Sequence, residues 1–273
     1  MSSPLIPDVL DLIIDNLSRE QKTLQSCCLV SKSWVPHVRR LLFYSIEFTS
    51  FSFVERPIGL WTKAFPDPSN SPAHHTRVLL LSDLETVAAV GTHARAWINS
   101  FSHILELELA TVMDESPVQF SLVPLYGLSP TLKSLSLKDI PAPTQELLDL
   151  ICSFPLLENL LLHRSTGDDT AAEWEAPSNS PTLAGSLELR GETSSVARKL
   201  LQLPNGLHPV KVAMACDVEF ASLMSDLLSK CSGTLKVLSI YYQSESSGTY
   251  SSAFVAYQRL NATHELRHSA TSV

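Results

Sequence analysis

Glycine is scarce, nine residues in 273. That leaves no room for collagen repeats or glycine-rich linkers, and no Gly-x-Gly or P-loop phrase is present to cradle a phosphate. Charge is scarce too: 18% of residues are charged, below the ~25% of an average soluble domain, while 44% are hydrophobic and mean hydropathy is +0.10. A charge-rich disordered segment therefore does not make up the bulk of the chain. The five cysteines (Cys27, Cys28, Cys152, Cys216, Cys231) are odd in number and lack C-x-x-C spacing, which fits reduced thiols and excludes a zinc ribbon or a disulfide framework. Long apolar runs are missing, since Glu158 and Asn159 break the richest one between Leu156 and Leu162, so no membrane span is predicted. Basic residues are outnumbered 20 to 28, for a net charge of -8. With Arg39-Arg40 only a pair, no basic face for nucleic acid is predicted. The start, Met1-Ser2-Ser3-Pro4, sets no basic region before Ile13-Ile14, and Asp8, Asp11 and Asp15 lie inside the apolar part. This argues against a signal peptide and for a cytoplasmic and/or nuclear protein.

What the chain has is leucine, 44 residues of it. The first of them organise as helices. Leu10, Ile13, Ile14 and Leu17 recur at i, i+3, i+4 and i+7 behind Pro7 and Asp8. Ser18, with Gln21 three residues on, predicts a capping box for a second helix whose apolar side is Leu24, Cys27 and Cys28. Ser31 or Ser33 would cap a third, in which Trp34, Val38, Leu41 and Leu42 share a face and Pro36 sits in the first turn. Tyr44, Ile46 and Phe48 then alternate with Ser45 and Glu47 as a strand. A helical unit of about 40 residues rarely stabilises itself, so part of this apolar surface packs on something else. Two outlets are open: the helices cap the rest of the chain, or they dock a partner.

The phrase Ile6-Pro7-Asp8-Val9-Leu10, followed by Ile13, Leu17, Leu24 and Cys28-Leu29-Val30-Ser31-Lys32-Ser33-Trp34, resembles the F-box, whose pattern begins Leu-Pro-x-Glu-Leu and ends near Val-x-x-x-Trp. It departs from the family at Ile6, which replaces the first leucine, and at Val9, which stands where the family has glutamate. With the Leu41 to Phe48 run it is similar to F-box starts of many fungal proteins. The resemblance implies a substrate receptor of an SCF-type ubiquitin ligase: a non-enzymatic subunit whose helices pack on the Skp adaptor, and through it a cullin, while the remainder presents a protein substrate. Carried over by position, the adaptor-facing set is Ile6, Pro7, Leu10, Ile13, Leu17, Leu24, Leu29, Val30 and Trp34.

After a predicted connector over 56–75, rich in proline, serine and turn formers, the leucines become periodic. Short strands begin at Leu79, Leu107, Leu135, Leu160, Leu187, Val210 and Leu238, at intervals of 28, 28, 25, 27, 23 and 28 residues. Four share a longer phrase, as in Ile104-x-x-Leu107-x-Leu109 and Leu132-x-x-Leu135-x-Leu137. Helices are predicted between strands, after Thr144, Ser195 and Asp217. This part resembles the leucine-rich repeat regions that follow the F-box in many receptors. It departs from the family phrase at Ile140 and Ser165, where an Asn or Cys would bridge backbone groups. The fold class is therefore α/β: a three-helix F-box over 1–45, a strand and Pro/Ser-rich linker over 46–76, a degenerate leucine-rich-repeat solenoid over 77–250 and a tail over 251–273. Within the solenoid, Gly167 to Pro181 reads as a loop, where Trp174 is either an exposed anchor for a basic partner or, the favoured reading, folded against its own repeat.

One catalytic spelling exists. His264-Glu265-Leu266-Arg267-His268 matches H-E-x-x-H, in which two histidines one turn apart hold zinc, but only Ser269 to Val273 follow and offer no third ligand. It is read as chance, with no metal, cofactor or catalytic residue assigned. His74-His75 is read as solvated linker, because adjacent residues point apart in extended chain. The runner-up to the receptor is a leucine-rich interaction scaffold unconnected to ubiquitination, in which the first helices only cap the repeats.

Overall fold

The computed structural model describes residues 7–49, 57–82, 97–111, 121–126, 128–165, 174–216, 218–243 and 250–251. Ile6 and the His264 to His268 phrase fall outside them. The chain opens with α1 (Pro7–Asn16), α2 (Gln21–Val30) and α3 (Val35–Leu42), as the apolar periods predict. The predicted caps do not form. α2 follows Glu20, not Ser18, and α3 follows Trp34, neither with a side-chain cap; ahead of α3 the Ser31 and Ser33 hydroxyls bond each other at 2.8 Å within the turn.

The remainder is mixed α/β, built on one open sheet. Its strands are β1 (Ser45–Phe48), β2 (Val78–Leu81), β3 (Glu106–Ala110), β4 (Ser134–Lys138), β5 (Asn159–His163), β6 (Ser186–Arg190), β7 (Lys211–Cys216), β8 (Val237–Gln243) and β9 (Tyr250–Ser251). They lie in chain order; β1 to β8 pair in parallel and β9 turns antiparallel onto β8. Parallel neighbours require a crossover between every two strands. Among the described residues, α-helices stand in four of these crossovers: α4 (Pro57–Ala64), α5 (Thr144–Cys152), α6 (Ser194–Leu200) and α7 (Val218–Cys231), with α5 against α6 and α6 against α7.

Alternation along each strand sends one row of side chains to each face. The inward positions form two ladders across the sheet. One runs Ile46, Leu79, Leu107, Leu135, Leu160, Leu187, Val212, Leu238, and the other Phe48, Leu81, Leu109, Leu137, Leu162, Leu189, Met214, Ile240. The strand predicted to begin at Val210 is thus displaced by two residues, since Val212 is the one opposite Leu187 and Leu238. The anomalous interval of 23 disappears with that shift.

Two expectations change in the segment before β2. The boundary at residue 45 cuts through β1, which pairs with β2 through Ile46 opposite Leu79 and Phe48 opposite Leu81. The supposed linker carries α4 (Pro57–Ala64) and the 3-10 helices Pro68–Asn70 and Pro72–His75. Apolar burial is the reason: Ile58 is fully buried, and Trp61 packs edge-on against Phe43 and Phe48 and lies 5.8 Å from Phe101. The prolines and serines that read as connector start the 3-10 turns, where Asp67 and Ser71 accept the amides of Ser69 and Ala73.

Polar side chains stitch consecutive units. Ser129 Oγ donates to the Ile104 carbonyl at 3.0 Å, Asn205 Nδ2 to the Ser180 carbonyl at 2.6 Å, and Asn159 Oδ1 accepts from the Ser186 amide at 2.9 Å. Ser165 Oγ lies 3.4 Å from the Leu137 and His163 carbonyls, so it supplies the bridge expected of an Asn or Cys, whereas the equivalent Ile140 is fully buried and supplies none. Trp174 is 8% exposed and its indole N–H donates to Asp149 Oδ1 at 3.3 Å, which rules out the exposed anchor and leaves the intramolecular reading. Cys27, Cys28, Cys152 and Cys231 are free thiols, and burial pushes Cys152 up to about 12 and Cys231 up to about 11.

Gly185 marks the tightest approach between units. A Cβ there would collide with Asn159 Oδ1 and sit 2.9 Å from the Glu158 carbonyl. Gly185→Ala is expected to cost about 1 to 3 kcal/mol by overpacking, read as a lower urea midpoint at constant m. Gly59→Ala in α4, where a Cβ meets nothing within 4 Å, is the control and is expected to be neutral or stabilising.

Candidate docking surface

The three N-terminal helices have a core of their own. Ile14, Leu24, Cys27 and Val38 are buried together, with Leu17, Cys28, Trp34, Leu41 and Leu42 packed around them, and this cluster is separate from the core under the sheet. α1 is tied to α3 by charge. Asp11 and Asp15, one turn apart, flank His37, whose Nδ1 is 3.0 Å from Asp11 and whose Nε2 is 3.2 Å from Asp15; Arg40 also reaches Asp15 at 3.3 Å. A cleft of about 470 Å³ lies between this layer and the start of β1, lined among others by Leu24, Leu41, Leu42 and Tyr44.

With the core satisfied, several large apolar side chains still face water. Leu29 is 89% exposed, Val30 69% and Leu12 65%, and Val9 and Ile13 are exposed beside them in the sequence of α1. A layer this small ordinarily keeps its leucines inside, so this concentration of exposed ones is the unusual feature of the helical layer.

Of the nine residues assigned to the adaptor-facing set, Ile13, Leu29 and Val30 are exposed and available, and Leu17 and Trp34 are half-buried against the helical core. Leu24 is corrected: at 1% exposure it belongs to the helical core, because the α2 stripe of Leu24, Cys27 and Cys28 faces inward, and of the helix's apolar side chains only Leu29 and Val30 are exposed. The backbones of Pro7 and Leu10 belong to α1, while their side chains and Ile6 lie outside the described residues. Leu12 was missed. Its signal was an apolar residue off the stripe of Leu10, Ile13, Ile14 and Leu17, on the side of the helix where a polar residue belongs.

A second surface is the outer face of the sheet, where polar side chains pair within and across strands. Lys138 meets Glu108 at 2.7 Å, Arg190 is paired with Glu188, and the Arg190 guanidinium sits 5.0 Å above the Tyr241 ring. Asp139, in the left-handed region at φ 55°, receives His163 at 3.6 Å and Arg164 at 3.8 Å. Burial lowers the His163 pKa, and Asp139 opposes that shift. Lys138, Arg164 and Arg190 each lie beside a carboxylate. Among the described residues no cluster of three metal-ligating side chains occurs, and no helix is long and apolar enough to cross a membrane.

No protein-family model matches the chain, and no curated protein matches it.

If the His37 cluster fixes α1, His37→Ala should speed amide hydrogen exchange in α1 by about fivefold, the equivalent of ~1 kcal/mol for a partly exposed ion cluster, and leave β4 to β6 unchanged.

Proposed function

We propose that the protein is a substrate-recognition subunit of an SCF-type ubiquitin ligase, an F-box receptor that binds the Skp adaptor through α1 to α3 and a protein substrate through a leucine-rich-repeat solenoid. The observation that carries this reading is the set of exposed apolar side chains at Ile13, Leu29 and Val30, positions the F-box resemblance assigns to the adaptor, on a helical layer that already has a complete core. Burying what remains exposed of Val9, Leu12, Ile13, Leu29 and Val30 would contribute roughly 5 to 9 kcal/mol gross, against association costs of about 4 to 15. Tight binding then depends on how well the partner groove fits these five side chains, since area alone does not guarantee it. The repeat reading draws support from the in-order parallel strands, the two inward apolar ladders and the bonds between consecutive units. In this role the chain performs no chemistry of its own; it raises the local concentration of a substrate lysine near a ubiquitin-charged enzyme.

The runner-up, a repeat scaffold whose helices merely cap the first strand, draws on the packing of α3 against the Pro72–His75 helix and of Phe43 against the main core. The two readings separate on deletion. Removing residues 1–42, which spares β1, should leave a folded, adaptor-blind sheet under the first and a destabilised one under the second.

The direct test is surface substitution. Ile13→Asp and Leu29→Asp should each reduce co-purification of the Skp adaptor at least about tenfold while leaving the melting temperature within a degree or two, because the side chains replaced are exposed. Leu24→Asp should instead unfold the helical layer. Undiminished recovery of the adaptor with both surface variants would end the assignment.

A further inference from the structure

His74 and His75 are wound into a 3-10 helix rather than extended chain, and the turn brings their rings to 3.9 Å between centroids. This helix packs on α3, whose last turn carries Arg39 and Arg40. Arg77 completes the group: its Nη1 donates to the carbonyls of His74 and Thr76, each at 3.1 Å, so the guanidinium is held against the turn. His74 Nδ1 donates to the Ser71 carbonyl at 3.0 Å, which leaves Nε2 as its second contact point.

Among the described residues, every charge acting on His75 is basic: His74, Arg77, Arg39 and Arg40. Burial first, and these neighbours second, hold its pKa below the usual histidine value. In a chain of net charge -8, buried Pro72 and Ala73 seat this helix, but their packing does not call for basic side chains, and Arg39, Arg77 and any protonated imidazole at the junction repel one another. An anion seated among them removes the repulsion. Arg40 is already paired with Asp15 at 3.3 Å, so Arg39 is the α3 arginine left to serve a ligand.

We propose that the junction of α3 with the Pro72–His75 helix is a binding site for an oxyanion of the phosphate class, held by Arg39, His74, His75 and Arg77. Guanidinium forks and imidazole N–H groups match the oxygens of a tetrahedral oxyanion, and His74 is exposed while His75 and Arg77 are half-buried, so the site is open to solvent. It is separate from the apolar face of α1 and α2 and does not depend on the receptor reading.

The full chain is titrated with sulfate, which keeps its double charge between about pH 6 and 8, against chloride at matched ionic strength, with the histidine ring resonances followed by NMR. Saturable shifts at His74 and His75 are expected, with the His75 titration moved upward. Sulfate affinity should rise as pH falls, by at most about tenfold per pH unit for each histidine that takes up a proton. Arg39→Glu, on an exposed side chain, should lower affinity about tenfold or more at an unchanged melting temperature, and His74→Gln should weaken binding as well. In a second arm, phosphoserine binding tighter than inorganic phosphate identifies an esterified phosphate as the ligand, and equal binding identifies the free ion. Chloride shifts equal to those of sulfate, or unchanged sulfate affinity in both variants, would overturn the site.

Discussion

Two inward rows of apolar side chains, running through eight parallel strands, are the constraint on which everything else in the molecule rests. A single strand with its crossover exposes both its backbone edge and its leucines; only the neighbour before and the neighbour after satisfy them. Register follows from this, since a slip of one residue would turn both rows outward. In the seventh strand Val212 keeps the first row continuous and Met214 the second; a two-residue shift to Val210 would keep the inward parity and lose the alignment with Leu187 and Leu238. Asn159, Ser129 and Asn205 then hold the starts of neighbouring units at fixed spacing, and the close approach at Gly185 shows how little slack remains.

The N-terminal helices obey a different rule. Their core is four buried side chains and a half-buried rim, enough to define the layer and too little to absorb all its apolar surface. The division is sharpest within α2, where Leu24 belongs to the core and Leu29, at the end of the same helix, is almost wholly in water. Such a layer holds its shape by clamping α1 to α3 through His37 and two aspartates while presenting leucines outward, an arrangement suited to a partner that arrives with a preformed groove.

Much of this was legible in the chain. Period 3.6 marked the three helices and the recurrence of Leu-x-Leu marked the strands, because both patterns are imposed by burial, which a single sequence displays directly. The segment before β2 was not. Its prolines and serines carry the chemistry of a connector, and what makes it part of the fold is Trp61 meeting Phe48 and Phe101, contacts between residues far apart in sequence. Caps were misread for a related reason: Ser31 has two nearby bonding options, and the turn with Ser33 won over the helix end. In the candidate site, Leu29 and Val30 were found by likeness to a motif; Leu12 stood off the apolar stripe of α1 and Leu24 on that of α2, local patterns that the motif likeness did not weigh.

The reversal of β9 carries a consequence for assembly. A stack of identical parallel units has, in principle, no reason to stop, and its last strand offers the next molecule an open ladder of the kind that seeds filaments. Tyr250 and Ser251 run against Gln243 and Tyr242, so any strand added beyond them would meet an antiparallel edge out of step with the repeat. The direction change gives this side of the sheet an antiparallel edge, which does not continue the parallel ladder of β1 to β8.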